Sequence, residues 1–205
     1  MKFLFYILSL VILFLAIKIP DYNKIPEEDH KVYLVYRATE NKQNIIAKDF
    51  NVNGSIMTHV GLGIKINGKL NIYNVSNVKF NANGSALLNE NLDEFLKVDG
   101  LIDYSIWSYS INTETKDKLL GLMEKELDKT IQFDYEFCLD NGDDNLYCSE
   151  FVYNILKQLN IANSLEPYIK ELNSFYNKAL GVNKLTYIPV DIFQQIKGFV
   201  RLRSI

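Results

Sequence analysis

The Asn67-Gly68 pair is the feature of this sequence that most constrains the fold. It separates two apolar runs, residues 60–66 and residues 70–75. Asn-Gly between runs of this kind is the preferred two-residue turn of an antiparallel hairpin. The pattern therefore predicts a hairpin within Met57 to Ser76, with Ile66 paired with Lys69.

This register gathers small and polar residues on one face of the hairpin. Counting outward from the turn places Gly61 opposite Asn74 and His59 opposite Ser76. Glycine weakens the interior of a strand, so the two glycines beside His59 suggest that something packs very close on this face, such as a helix that carries a nucleophile. Asn74 is a diagonal neighbour of His59 and can orient its imidazole. The shared face carries His59, Gly61, Gly63, Asn74 and Ser76.

The remaining pattern predicts one α+β domain over residues 32–205. A chain of 205 residues can bury one ordinary core. Besides the hairpin, strands are predicted over residues 32–36, 101–109 and 198–203. Helices are predicted over residues 41–50, 113–127, 148–159 and 165–180, with a short helix after residues 188–192. Together these elements predict an antiparallel sheet of about five strands with helices packed on it.

The first 19 residues form a signal peptide or a membrane anchor in this interpretation. Lys2 is followed by an almost unbroken apolar run, residues 3–17, in which only Ser9 is polar. Its length lies between that of a secretory signal and that of a spanning helix. The absence of a small-residue cleavage site favours an uncleaved apolar helix. An anchor makes the membrane a partner through this segment, and a cleaved signal gives a secreted protein. Either alternative puts the folded domain outside the cytoplasm.

Residues 20–31 are polar and interrupted by Pro20 and Pro26, which indicates a linker in which His30 is exposed. The formal net charge is -3, and basic and acidic residues are interspersed rather than clustered. This charge pattern argues against nucleic acid as a partner. We assign no cofactor and no metal ligands.

His59 and Cys148 are the two candidate catalytic residues. Of the two histidines, only His59 is placed to act as a general base. Cys148 follows a polar loop and begins an amphipathic helix, whose dipole and free N–H groups are expected to lower the thiol pKa and to serve an oxyanion. Ser149 and Glu150 are expected to cap amides in the first turn. The alternatives are a structural histidine bound to a backbone carbonyl and a buried structural cysteine, or a single disulfide between Cys138 and Cys148.

Three short motifs together resemble the permuted papain-like cysteine hydrolases of the YaeF/YiiX type, relatives of the NlpC peptidases and of lecithin:retinol acyltransferase. They are Thr58 to Leu62, the Asn67-Gly68 turn, and Tyr147 to Tyr153. The likeness continues in Phe133 to Phe137 and Ile188 to Ile192, and it spans about residues 32–203. It implies a permuted papain-like, NlpC-like fold, with the nucleophile helix packed on one face of the sheet.

The resemblance also implies roles for residues. Cys148 is then the nucleophile and His59 its base. The acid of the family falls on Asn74, which is a departure. Asparagine can fix a histidine tautomer, as in the Cys-His-Asn arrangement of papain, but it does not stabilise imidazolium as a carboxylate does.

The expected activity is that of a thiol hydrolase, which cleaves amide or ester bonds through an acyl-enzyme on Cys148. The expected substrates are cell-wall peptides such as peptidoglycan stems, or lipid-linked molecules. One alternative is a lipid acyltransferase or phospholipase that uses the same residues. Another is a catalytically inactive, membrane-tethered binding module, for which a bridge between Cys138 and Cys148 would be the simplest support. Residues 161–187 are expected to form a lid or wall near the site, or plain scaffolding.

Overall fold

A computed structural model of the chain describes residues 30–40, 45–139, 142 and 144–204. The predicted apolar helix over residues 1–19, and residues 20–29 of the predicted linker, lie outside the described residues. His30, at the end of that linker, is exposed as predicted. No helix within the described ranges is long and apolar enough to cross a membrane.

The centre of the fold is an antiparallel sheet of six strands in the order β10-β5-β1-β2-β3-β4. The sheet has one strand more than the approximate count predicted. The extra strand is β4, only four residues long, which carries too short a pattern to be recognised. The strands of this sheet are β1 (Lys31–Thr39), β2 (His59–Ile66), β3 (Lys69–Val75), β4 (Leu87–Glu90), β5 (Leu101–Ser110) and β10 (Val200–Ser204).

The β2–β3 hairpin has the predicted turn and register. Asn67 and Gly68 both have positive φ, 51° and 76°, which is the signature of a type I′ turn. The ladder runs from the pairing of Ile66 with Lys69 to that of Leu62 with Tyr73. The predicted turn and register are therefore confirmed as far as this ladder reaches, which is short of the predicted pairs Gly61–Asn74 and His59–Ser76.

Within the described residues, five short or medium α-helices accompany the sheet. The two longest, α3 and α4, match the predictions for residues 113–127 and 148–159 to within a residue. Helix α2 was not predicted; it begins at a capping box in which Asn91 and Glu94 each bind the other's backbone amide. The helices are α1 (Ile45–Asp49), α2 (Leu92–Leu96), α3 (Thr113–Leu127), α4 (Cys148–Gln158) and α5 (Ser174–Leu180), followed by a 3₁₀ turn over Ile192–Gln195.

The prediction of one helix over residues 165–180 is wrong in its first half. Strand β8 (Tyr168–Glu171) pairs antiparallel with β9 (Lys184–Tyr187), and α5 begins only at Ser174. The local pattern is compatible with a helix, but the backbone of β8 finds its hydrogen-bond partners 13 or more residues away. Two further short strands, β6 (Gln132–Phe133) and β7 (Asn145–Leu146), pair in parallel.

The two faces of the sheet carry separate cores. Helix α4 packs through Phe151, Val152 and Ile155 on the face that includes Val60 and Leu62. The other face packs Phe95 of α2 against a cluster that includes Ile72. Helix α4, which begins with Cys148, thus packs on one face of the sheet, as predicted.

However, α4 does not lie on the face that carries Gly61, where the close approach of a helix was predicted. A Cβ atom on Gly61 would lie 2.6 Å from Ile72 Cγ2 and 3.1 Å from Phe95 Cε2, so the close approach comes from α2 and not from α4. The prediction that the nucleophile helix presses on Gly61 is therefore wrong. Its error follows from the unrecognised helix α2, which occupies the space.

Candidate active site

One pocket brings Cys148 and His59 to the same surface. Cys148 is the first residue of α4, and His59 is the first residue of β2. Both residues line this pocket, together with Thr58 and Ser149. The two residues that the sequence put forward are therefore brought together, although they belong to elements far apart in the chain.

The His59 ring is held on one side by Asn74. Its Nε2 lies 2.9 Å from Asn74 Oδ1, as the hairpin register predicted. The ring centroid lies 5.7 Å from that of Phe95. Burial lowers the pKa of His59 well below its ordinary value; the charges of Arg37 and Lys79 lower it further, while the bond to Asn74 acts in the opposite direction. The ring is therefore neutral at pH 7.

The Cys148 thiol has a raised pKa, not the lowered pKa expected of a cysteine at a helix N-terminus. Burial is the main cause of the rise. The backbone N–H groups of Val60 and Ser149 and the charge of Arg37 favour the thiolate, but they do not outweigh burial. Cys148 and Cys138 are both free thiols, so the alternative of a disulfide between them does not hold.

The start of α4 is tied to the segment that follows β9. The Ser149 hydroxyl donates to the Ile188 carbonyl at 2.7 Å, and the Ile188 N–H donates to the Tyr147 hydroxyl at 2.7 Å. The Ser149 hydroxyl therefore ties the first turn of α4 to a buried carbonyl of another segment, and its capping of first-turn amides stays a prediction. These bonds fix Ile188, Pro189 and Val190 as one wall of the pocket.

Glu150 does act on the helix start. Its carboxyl group accepts the backbone N–H of Tyr147, and burial raises the pKa of Glu150 to about 8, with Asp134 adding to the rise. One carboxyl oxygen, Oε2, is buried without a hydrogen-bond partner. A protonated carboxylic acid therefore lies in the first turn of α4 at neutral pH.

Glu90 and Lys79 complete the surroundings of His59 and were missed. Asn74 Nδ2 donates to Glu90 Oε2 at 3.0 Å, and Lys79 Nζ donates to Glu90 Oε1 at 2.8 Å. Glu90 is the last residue of β4, the strand that the sequence did not reveal. The Asn91 to Glu94 capping box directly after it was the signal that would have located this part of the chain.

Arg37 is another residue near His59 that the sequence did not indicate. It is 6% exposed and lies opposite His59 in the pairing of β1 with β2. Its guanidinium donates to the Phe95 carbonyl and lies 4.5 Å from the centroid of the Phe95 ring. Burial lowers the pKa of Arg37 to about 10, so it keeps its charge at pH 7. A lone arginine inside an apolar strand was the available signal.

The walls of the pocket are mostly aromatic and aliphatic. Strand β9 contributes Leu185 and Tyr187, so part of the segment 161–187 does form a wall, as one of the two expectations had it. The loop before β2 is held by Asp191, whose carboxylate accepts the N–H groups of Val52 and Asn53 at 2.9 and 2.7 Å. The other apolar lining residues include Phe50, Phe133, Phe137, Ile188 and Val190.

The fold and the site together define an α+β protein in which a helix-borne cysteine and a strand-borne histidine share a pocket beside a six-stranded antiparallel sheet. The fold is similar to that in the crystal structure of YiiX from Escherichia coli O157:H7, described as a metalloprotein. The TM-score is 0.62 at 14% identity, over 86% of this chain and 98% of that one. No protein-family model matches the chain, and no curated protein matches it.

Proposed function

We propose that this chain is a thiol hydrolase of the permuted papain-like type, with Cys148 as nucleophile and His59 as base. The observation that carries the proposal is the shared pocket, which both His59 and Cys148 line, with His59 Nε2 bound to Asn74. The likeness to YiiX supports the fold alone.

The resting pair is a neutral thiol and a neutral imidazole, because burial raises the pKa of Cys148 and lowers that of His59. Proton transfer therefore accompanies the attack. His59 Nδ1 takes the proton of Cys148 Sγ, the sulfur forms a bond to the substrate carbonyl carbon, and backbone amides at the start of α4 receive the oxyanion.

The intermediate then collapses, and the leaving amine or alcohol takes its proton from His59. A water molecule gives a proton to His59 and attacks the thioester, which releases the acid and restores the thiol. Arg37 favours the negative sulfur during these steps, since its charge lowers the pKa of Cys148.

YiiX is described as a metalloprotein, so the fit of a metal to this chain matters. Across the described ranges, no three His, Cys, Asp or Glu side chains come together in a way that could hold a metal ion. The residues therefore do not fit a metal centre, and no step of the proposed reaction passes through one.

The lining of the pocket favours an apolar acyl group. Phe50, Phe137, Leu185 and Tyr187 line the pocket with Cys148, and among its described lining residues there is no Asp, Glu, Lys or Arg. Because most of this lining is apolar, it favours a lipid acyl hydrolase or acyltransferase with the same two residues over a peptidase. Cell-wall peptides stay the other candidate substrate. The membrane, contacted through residues 1–19 with the folded domain outside the cytoplasm, is part of the same proposal.

Mass spectrometry of the full-length chain tests the nucleophile. After a short reaction with p-nitrophenyl esters of increasing acyl length, we expect an acyl group on Cys148 and a burst of p-nitrophenol. Cys148→Ser and His59→Gln should each lower turnover by about 10²–10⁴-fold or more. The matched control is Cys138→Ser, which removes the partly exposed thiol and should leave turnover unchanged.

Full turnover by Cys148→Ser would overturn the catalytic role. Substrate class is decided by comparing phospholipids with peptidoglycan stem peptides. Turnover of neither by folded protein would favour the inactive binding module.

A further inference from the structure

Four side chains form a continuous chain of hydrogen bonds behind the candidate base. His59 Nε2 lies 2.9 Å from Asn74 Oδ1, Asn74 Nδ2 lies 3.0 Å from Glu90 Oε2, and Lys79 Nζ lies 2.8 Å from Glu90 Oε1. Asn74 is fully buried, and the Glu90 side chain is 11% exposed. The charged end of the chain therefore reaches toward solvent through Lys79, and the neutral end meets the imidazole.

The chemistry of these groups allows one direction of donation. A carboxylate only accepts hydrogen bonds, so Glu90 requires the amide nitrogen of Asn74 to face it. The amide oxygen then faces His59. Because that oxygen also only accepts, Nε2 of the neutral ring must carry the hydrogen, and Nδ1 is left with the lone pair.

The opposite arrangement would disable the base. If Asn74 turned its nitrogen toward His59, Nε2 would have to accept and the hydrogen would move to Nδ1. An imidazole protonated at Nδ1 cannot take a proton there. The tautomer of His59 therefore depends on which way one buried amide points.

Contacts with the turn after β3 and with α2 hold Lys79 in place. The Ser76 hydroxyl accepts the N–H groups of Val78 and Lys79 at 3.2 and 3.1 Å, which fixes the turn after β3. The Lys79 ammonium also donates to the Glu94 carbonyl of α2. Since an ammonium only donates, Lys79 orients whatever acceptor occupies position 90.

We propose that Glu90 is a positioning residue that acts through Asn74 to set the Nε2–H tautomer of His59 and so leaves Nδ1 free as the base. The inference deepens the proposed function and rests on it for its catalytic meaning. Position 74 carries no carboxylate, but the Glu90 carboxylate binds the far side of the Asn74 amide. Glu90 therefore orients His59 through Asn74 without touching the ring.

The substitution Glu90→Gln should reverse the Asn74 amide and so change the tautomer of His59. The Lys79 ammonium would bind the carbonyl oxygen of the new side-chain amide, so the amide nitrogen at position 90 would face Asn74 and donate to its oxygen. Asn74 would then present its nitrogen to His59, and the hydrogen would move to Nδ1. The charge-matched control is Glu94→Gln on α2, because the Glu94 carboxylate caps the Asn91 amide and does not touch the chain of bonds.

Exchanging the two groups should restore the native tautomer. In Asn74→Asp combined with Glu90→Gln, Lys79 binds the amide oxygen at position 90, and the amide nitrogen there donates to the new carboxylate at position 74. That carboxylate in turn accepts from His59 Nε2.

Nitrogen-15 NMR of the full-length chain in mild detergent reads the tautomer directly. The chain has two histidines, so the exposed His30 gives a reference signal in the same spectrum. We expect Nε2–H in the wild type, in Glu94→Gln and in the double variant, and Nδ1–H in Glu90→Gln. Ester turnover should fall by about 10²–10⁴-fold in Glu90→Gln and recover by at least about tenfold in the double variant.

Nδ1–H in the wild type overturns the proposal even if no variant folds, and so does unchanged Nε2–H in folded Glu90→Gln. Failure of the proposed function would give a different result. In that case the tautomers would follow the expected pattern, but the wild-type protein would turn over no ester, phospholipid or stem peptide.

Discussion

At Gly61 the sheet leaves no room for a side chain, and this affects both stability and the site. An added methyl group would meet Ile72 at 2.6 Å and Asn74 Cβ at 3.3 Å. We expect Gly61→Ala to lower the free energy of unfolding by about 1–3 kcal/mol through overpacking. It should also displace Asn74 and so reduce turnover. Denaturant unfolding and ester turnover measure the two effects.

The matched control is Gly121→Ala in helix α3. A Cβ atom there meets nothing within 4 Å, and alanine is the better helix former, so this variant should be about 0.5–1 kcal/mol more stable. Equal effects of the two substitutions would contradict the close packing at Gly61.

Glu150 gives stability a dependence on pH. Its pKa is about 8 in the folded chain and 4.5 for an ordinary glutamate. Between these values the unfolded carboxyl has lost its proton while the folded one keeps it, so this group makes the chain less stable as pH rises from about 4.5 to 8. Glu150→Gln removes that contribution.

The variant should therefore gain stability relative to the wild type between about pH 5 and about pH 8.5. The lowered pKa of His59 adds a separate loss of stability as pH falls below its ordinary value of 6.5, because the unfolded ring takes a proton first. That loss is common to both proteins and cancels in their difference. Thermal unfolding at the two pH values measures the difference, and an identical difference at both would refute the role of Glu150.

At the scale of elements, the start of α4 and the wall after β9 are joined by the hydroxyl of Tyr147. We expect Tyr147→Phe to leave the buried Ile188 N–H without its acceptor, at a cost of about 1–3 kcal/mol. Because the wall carries Pro189 and Val190 beside the thiol, KM should rise more than kcat falls. Steady-state kinetics and denaturant unfolding test this.

Tyr153→Phe, within helix α4, is the control. The Tyr153 hydroxyl donates to the Leu165 carbonyl at 3.3 Å, away from the pocket wall. Its loss should cost less than about 1 kcal/mol and leave KM unchanged. A KM change of the same size in both variants would mean that the wall is not set by Tyr147.

Elements with a strong local signal were predictable, and those without one were not. The β2–β3 hairpin follows from Asn67-Gly68, which encodes both the turn and the register. Helices α3 and α4 follow from their apolar stripes. Residues 168–171 were assigned to a helix because only local spacing was available, and the ladder with β9 is a tertiary contact.

The residues of the site likewise divide into those that a local pattern predicts and those that depend on how strands pair across the whole molecule. Asn74 was found because its distance from His59 is fixed by one turn, within a single hairpin. Glu90 and Arg37 reach the site through strand pairs, β3–β4 and β1–β2, whose order in the sheet no local pattern reveals. The sign of the Cys148 pKa shift was missed for a related reason, since burial depends on how the whole core closes over the helix start.

Strand β10 also protects the edge of the sheet that β5 would otherwise form. Strand β10 covers β5 through the pairs Val200–Ser108, Arg201–Trp107, Arg203–Ile106 and Ser204–Ser105. Removal of residues 200–205 would leave the ten-residue strand β5 as an unpaired edge. We expect a loss of about 2–4 kcal/mol of stability, from these backbone hydrogen bonds, and association between exposed β5 edges.

Denaturant unfolding and sedimentation velocity measure the two effects of this truncation. The control keeps the strand and changes only its apolar side chains, in the double substitution Val200→Ser and Leu202→Ser. These side chains are 60% and 49% exposed, so the control should stay within about 0.5 kcal/mol of the wild type and sediment as the wild type does. If the truncated chain matches the control in both measurements, β10 does not protect the sheet edge; if the control also associates, the effect comes from its side chains rather than from the ladder.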